Sequence, residues 1–166
     1  MVIENKKSGA LVTGGARRIG RAIALGLAKD GWHVIVHYHQ SEKAAEQTVA
    51  EIVDQGGRAT AIAADLSNAD SAIQLIIESI NVTGELACLV NNASLFVNDS
   101  ILSFNSEDFN SMMAVNLSAP ILLSRAFSEK LPESGSGVII NLLDQKLVNP
   151  NPDFLSYTLS KYGLNG

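Results

Sequence analysis

The chain has 166 residues, 46% hydrophobic and 17% charged, which suits one globular domain, residues 1–166, with a sizeable core and leaves no room for two. Its 12 basic and 17 acidic residues give a formal charge of −5. That balance argues against a nucleic-acid or anionic-membrane surface, both of which need a dominant basic patch, and leaves a small-molecule substrate as the expected partner.

In chain order, Met1 to Ser8 is short and polar and has no apolar signal region. Ala10 to Thr13 then reads as a strand, followed by a helix over Ile19 to Lys29, a strand over His33 to Tyr38 and a helix over Glu42 to Gln55. A third strand at Ala59 to Ala63 precedes a helix over Ala69 to Ile80, and a fourth, Ala87 to Asn91, contains the single cysteine, Cys88, which can form no internal disulfide. A long helix spans Glu107 to Lys130, a fifth strand spans Val138 to Leu142, and a last helix begins near Ser156. Ser41, Asn68 and Ser106 stand where helix N-caps belong. No apolar run approaches the ~18 residues of a membrane helix, so a cytoplasmic protein is expected.

Strand and helix in regular alternation predict parallel strands joined by right-handed crossovers, a doubly wound α/β sheet with helices on both faces. The chain stops soon after its last helix begins, which leaves the final strand at an open sheet edge and suggests that a C-terminal part is missing.

After the first strand comes Thr13-Gly14-Gly15-Ala16-Arg17-Arg18-Ile19-Gly20, then a helix. Glycines let the backbone turn tightly and approach a pyrophosphate, and the helix supplies free N–H groups and the positive end of its dipole. A tight βα turn that binds nothing would use the same glycines. The segment resembles the short-chain dehydrogenase/reductase family, whose loop reads Thr-Gly, three residues, Gly, one residue, Gly. Arg18 takes the place of the middle glycine, as in the pteridine reductases of that family, and its guanidinium can grip a phosphate.

At the end of the second strand an acidic residue would bind the 2′-hydroxyl of NAD. Here the chain reads His37-Tyr38-His39-Gln40-Ser41, with hydrogen-bond donors and no acid, which with Arg18 points to NADP(H) and also looks like the pteridine reductases. On the plainer reading the two histidines are polar strand-end residues. The resemblance further implies cofactor contacts at Asp65 and Leu66 after the third strand and at Asn92, Ala93 and Ser94 after the fourth. Asp65 also fits a simple turn before a helix.

Tyr157 and Lys161 are four residues apart, on one face of a helix. A free tyrosine, with a pKa near ~10, is a poor acid–base group at neutral pH, and a neighbouring cation is expected to lower that value. Asn116 has Pro120 four residues later, and proline has no N–H for the Asn116 carbonyl. In the family this carbonyl holds a water linking the lysine to solvent; a kink that wraps the helix over the sheet is the alternative.

The family position thirteen residues before the tyrosine, usually serine, is Asp144. An ionised aspartate cannot donate to a ketone oxygen and repels a developing alkoxide. Pteridine reductases also carry aspartate here, and they deliver hydride to a C=N carbon and a proton to the nitrogen. Phe96 then offers either an aromatic wall for a flat pterin or a plain core residue.

The resemblance therefore implies an NADPH-dependent, pteridine reductase-like enzyme. Tyr157 would be the proton donor, Lys161 its electrostatic partner, Asp144 the orienting or relaying group and Asn116 the relay anchor. Ser94, Phe96, Asp144 and Tyr157 would face the substrate, and the full-length protein would be a homotetramer or homodimer. The alternatives are a carbonyl or 3-oxoacyl reductase of the same family, and a non-catalytic NADP-binding module or inactive fragment.

Overall fold

A computed structural model of the chain describes residues 8–133 and 135–166, so the polar segment before Ser8 lies outside the described residues. Five parallel strands form one sheet: β1 (Gly9–Val12), β2 (His33–Tyr38), β3 (Arg58–Ala63), β4 (Leu86–Asn91) and β5 (Val138–Asn141), in the order β3-β2-β1-β4-β5. The doubly wound reading holds. β1 sits in the middle with all four residues buried, and every residue of β5, at one edge, is exposed.

Successive side chains of a strand point to opposite faces, and the core divides accordingly. Leu11 and Ile35 point to one face, where α3 (Ala69–Thr83) and α5 (Ala119–Lys130) contribute Leu75, Ile76, Leu123 and Phe127. Ala10, Val12, Val34 and Val36 point to the other, against Ala24 of α1 (Arg18–Lys29) and Ala45 and Ile52 of α2 (Glu42–Asp54). Phe127 is among the largest fully enclosed side chains, and truncating such a residue to alanine costs about 3–5 kcal/mol.

The helix expected over Glu107 to Lys130 is not continuous. It comprises α4 (Ser106–Met113), a π-helical turn over Ala114–Ser118, and α5. Pro120 cannot donate to the carbonyl four residues before it, and the chain widens to a five-residue repeat in which the Ala119 N–H donates to the Ala114 carbonyl. The N-cap of α4 is Asn105, not Ser106: its Oδ1 accepts from the Asp108 N–H at 2.9 Å. Asn68 caps α3 as expected, accepting from the Ser71 N–H at 2.9 Å, whereas Ser41 occupies the cap position of α2 without making the side-chain bond. The last helix, α6 (Leu155–Asn165), packs against α4 and the π turn.

In this strand order the chain reverses direction across the sheet between β1 and β4, and the crevice beyond their carboxyl ends is where open α/β sheets bind ligands. Among the described residues no helix is long and apolar enough to cross a membrane.

Candidate active site

Thr13 ties the ends of β1 and β4 together at the floor of the crevice. Its Oγ1 accepts from the backbone N–H groups of Asn92 and Ala93, at 2.9 and 3.0 Å, and donates to the Val90 carbonyl. Asn92 reciprocates, its Nδ2 donating to the carbonyl oxygens of Thr13 at 2.8 Å and Gly14 at 3.2 Å. Gly20 must be glycine here: a Cβ would collide with the Gly14 carbonyl oxygen and come within 2.5 Å of Asn92 Nδ2. Gly14 has φ of 61°, in the left-handed region.

Arg18 has φ of 50°, so arginine occupies the left-handed backbone that the missing glycine would adopt freely, at a cost of roughly 1–2 kcal/mol. Arg17, Arg18 and Ile19 are all exposed at the start of α1, and Arg17, the N-cap, makes no side-chain cap bond. The Ser41 side chain makes no cap bond either, and exposed His39 and Gln40 precede it. Two helix N-termini uncapped by side chains thus open toward the crevice end of the sheet, one flanked by two arginines and one by donors.

His37 departs from its expected place at the cofactor rim. It is buried at 2% exposure, and both ring nitrogens are engaged within the chain. Nδ1 accepts from the Gly14 N–H at 3.0 Å, so Nε2 carries the proton and donates to the Ala64 carbonyl at 3.1 Å. Burial, opposed by the Ala64 bond and aided by the charge of His39, pulls its pKa down to about 4. A neutral imidazole therefore links the glycine turn to the residues after β3.

Tyr38 is half-buried, with its hydroxyl against Glu42. Asp65 makes the turn that its plainer reading anticipated, its Oδ1 accepting from the Ser67 N–H and Oγ at 2.9 and 2.7 Å. These bonds hold its carboxyl below the usual range. The Leu66 side chain is in the core.

The catalytic candidates converge. Tyr157 Oη donates to Asp144 Oδ2 at 2.8 Å, and Asp144 Oδ1 accepts from the Lys146 N–H at 2.9 Å. Lys161 Nζ lies 5.7 Å from the Tyr157 ring centroid and donates to the Leu142 carbonyl at 2.9 Å. The expected lowering of the tyrosine pKa is not found. Burial, then the bond to Asp144 and its charge, push Tyr157 well above the ordinary tyrosine range. Burial also lowers Lys161, opposed by Asp144. For Asp144 burial acts upward but is outweighed by the Lys146 N–H, the Tyr157 hydroxyl and both lysine charges, so its carboxyl sits below the usual range.

Asn116, fully buried in the π turn, clamps the loop after β4 with its side chain. Oδ1 accepts from the Leu95 N–H at 2.7 Å, and Nδ2 donates to the Leu95 carbonyl at 2.9 Å and to Ser160 Oγ at 3.1 Å. Ser160 in turn donates to the Tyr157 carbonyl at 2.6 Å. Ser94 and Phe96 flank this clamp and are exposed. Phe96 is not a core residue: its ring meets Tyr157 edge-on at 4.6 Å and stacks on Phe154 at 4.2 Å.

Several of these residues carry no signal in the sequence. Phe154, at φ of 61°, bears the Phe96 stack and has Lys146 Nζ 5.0 Å from its ring. The Lys146 ammonium is buried and donates to Asn151 Oδ1 at 2.6 Å and to the Asp153 carbonyl at 3.3 Å.

The family model of short chain dehydrogenases matches residues 8–166. The chain belongs to the short-chain dehydrogenase/reductase family. It is 38% identical over 157 residues to a 3-oxoacyl-[acyl-carrier-protein] reductase of Synechocystis sp., covering 95% of this chain and 64% of that protein. The solved structure of FolM alternative dihydrofolate reductase 1 from Brucella canis, complexed with NADP, superposes with a TM-score of 0.91 at 38% identity, over 96% of this chain and 63% of that one. A metagenomic short-chain oxidoreductase in complex with NADP gives 0.89 at 36% identity, over 96% and 72%. The chain thus spans just under two thirds of the length of the first two relatives.

Proposed function

We propose that the protein is an NADPH-dependent reductase of the pteridine reductase type, reducing a C=N bond of a dihydropterin or dihydrofolate. The observation that carries this reading is the Asp144–Tyr157 pair beside Phe96. A carboxylate that only accepts hydrogen bonds suits a heterocycle bearing N–H groups next to the reacting nitrogen, and it repels the alkoxide of a ketone reduction. The likeness to the Brucella canis alternative dihydrofolate reductase supports it.

The residues present fit a phosphorylated dinucleotide. The α1 N-terminus with Gly14, Arg17, Ile19 and Gly20 would hold the pyrophosphate, while Arg18, His39, Gln40 and Ser41 would meet the 2′-phosphate. Tyr38, Asp65 and Leu66 would flank the adenine side, and Asn92, Ala93, Ser94 and Lys161 the ribose and nicotinamide side. When bound, NADPH supplies the hydride.

The chain's own residues supply and steady the proton. Burial and Asp144 keep it on Tyr157 Oη, so the tyrosine meets substrate as an acid. Once the hydroxyl turns from Asp144 to the substrate nitrogen and the proton leaves, the nearby Lys161 ammonium stabilises the phenolate. Asp144 orients the hydroxyl, and Phe96 offers a flat substrate an aromatic face beside it.

A second reading, reduction of a 3-oxoacyl or other carbonyl group, is favoured by the Synechocystis relative. Assay of the full-length protein with dihydropterin, dihydrofolate and a 3-oxoacyl thioester separates the two. The proposal predicts turnover of the heterocycles, and turnover of the thioester alone contradicts it.

A further inference from the structure

The helix that carries Tyr157 and Lys161 begins without help from its own sequence. Its N-cap, Phe154, makes no side-chain cap bond and sits in the left-handed region at φ of 61°, where a bulky side chain is strained. The missing cap is supplied from 57 positions away. Asp99, in the loop after β4, is buried at 6% exposure and aims its carboxylate at the first turn of α6. Oδ1 and Oδ2 accept from the Ser156 N–H at 3.1 and 3.3 Å, Oδ2 also accepts from Ser156 Oγ, and the Asp99 carbonyl accepts from the Leu155 N–H at 3.2 Å.

The same loop carries Phe96, which stacks on Phe154 and abuts Tyr157, and Leu95, which Asn116 clamps. The loop is therefore fastened to α6 at two points, on one side through Asn116 and Ser160 and on the other through Asp99 and Ser156. Between those points lie the aromatic wall and the tyrosine.

We propose that Asp99 is a positioning residue that sets the start of α6 against the Phe96 loop and so fixes where Tyr157 Oη meets the substrate. A negative side chain at a helix N-terminus is favourable by charge as well as by hydrogen bonding. Placed one residue before Tyr157, the Ser156 anchor controls the tyrosine directly, and small misplacements of an acid–base group cost large factors in rate. The phosphate turn at Gly14 to Gly20 is not part of this contact.

The inference rests on the reductase reading, not on the pterin, and each variant is assayed on whichever substrate the full-length wild type reduces. Wild type that reduces only the 3-oxoacyl thioester sinks the pterin reading and leaves the Asp99 comparison intact. In Asp99→Ala kcat is expected to fall at least roughly tenfold, while the NADPH dissociation constant, read by cofactor fluorescence, stays within about threefold. Asp99→Asn keeps an acceptor for the Ser156 N–H and is expected to recover to within about threefold of wild type. The proposal is overturned by an Asp99→Ala enzyme within about twofold of wild-type kcat. It is also overturned if both variants lose kcat and NADPH affinity equally, in step with a falling folded fraction by circular dichroism.

Discussion

Tyr157 Oη donates to Asp144 Oδ2 across 2.8 Å, joining α6 to the loop after β5. Each group acts on the other's proton. The tyrosine hydroxyl helps hold Asp144 ionised, and the Asp144 carboxylate, together with burial, holds the proton on Tyr157. Removing the charge in Asp144→Asn removes an influence that raises the tyrosine pKa, so the phenolate forms more readily. The basic limb of the kcat–pH profile should move to lower pH. A limb that stays in place would show that Asp144 does not govern the tyrosine proton.

The uncapped starts of α1 and α2 predict the cofactor preference. On the proposed reading, Arg18, strained at φ of 50°, and Ser41, at the start of α2 without a cap bond, would read a 2′-phosphate. Arg18→Ala and Ser41→Ala should each weaken NADPH at least about tenfold while leaving NADH within about threefold, a charged hydrogen bond being worth 1.5–3 kcal/mol. Titration of both cofactors against both variants checks this. Equal affinity of the wild type for NADPH and NADH would remove the role given to the two residues.

His37 predicts an acid-sensitive fold. Its folded pKa, about 4, lies below the ordinary histidine value of 6.5, so between these values the unfolded chain binds more protons than the folded one. The stability supplied by the neutral ring is complete above about pH 6.5 and is lost as pH falls toward 4. For a ring at 2% exposure the loss is on the order of 3 kcal/mol. Gln can accept from Gly14 and donate to Ala64 without titrating, so in His37→Gln the denaturation midpoint should fall less between pH 6.5 and 4. His33, also lowered by burial and by Arg58, is common to both proteins and cancels in the difference. Parallel curves would contradict the neutral link.

The alternation of strands and helices was legible because buried β-rich runs and helical spacing are local patterns, and β1 to β5 lie within two residues of their expected bounds. Tyr157, Lys161, Asp144 and Asn116 were singled out through family motifs; the structure sets Tyr157 against Asp144 and Lys161, and bonds Asn116 to Ser160 of the same helix. The π turn was harder to see: Pro120 announces a disturbance, but a kink and a widened turn share that signature. His37 looked like a cofactor ligand because its position at a strand end was visible, whereas the Gly14 and Ala64 partners that occupy it are set by the fold. Asp99 was invisible for the same reason, since a cap normally stands beside its helix and this one arrives from another loop.

The central claim is that Asp144 and Tyr157 together make this a reductase of a C=N bond. Its most direct test is NADPH oxidation by the full-length protein with dihydropterin or dihydrofolate, comparing wild type, Asp144→Ser and Tyr157→Phe, with a 3-oxoacyl thioester alongside. The account predicts heterocycle turnover that falls roughly 100-fold or more in both variants, as expected for loss of a positioned acid and of the group that orients it. No heterocycle turnover, with carbonyl reduction retained or improved in Asp144→Ser, would contradict it.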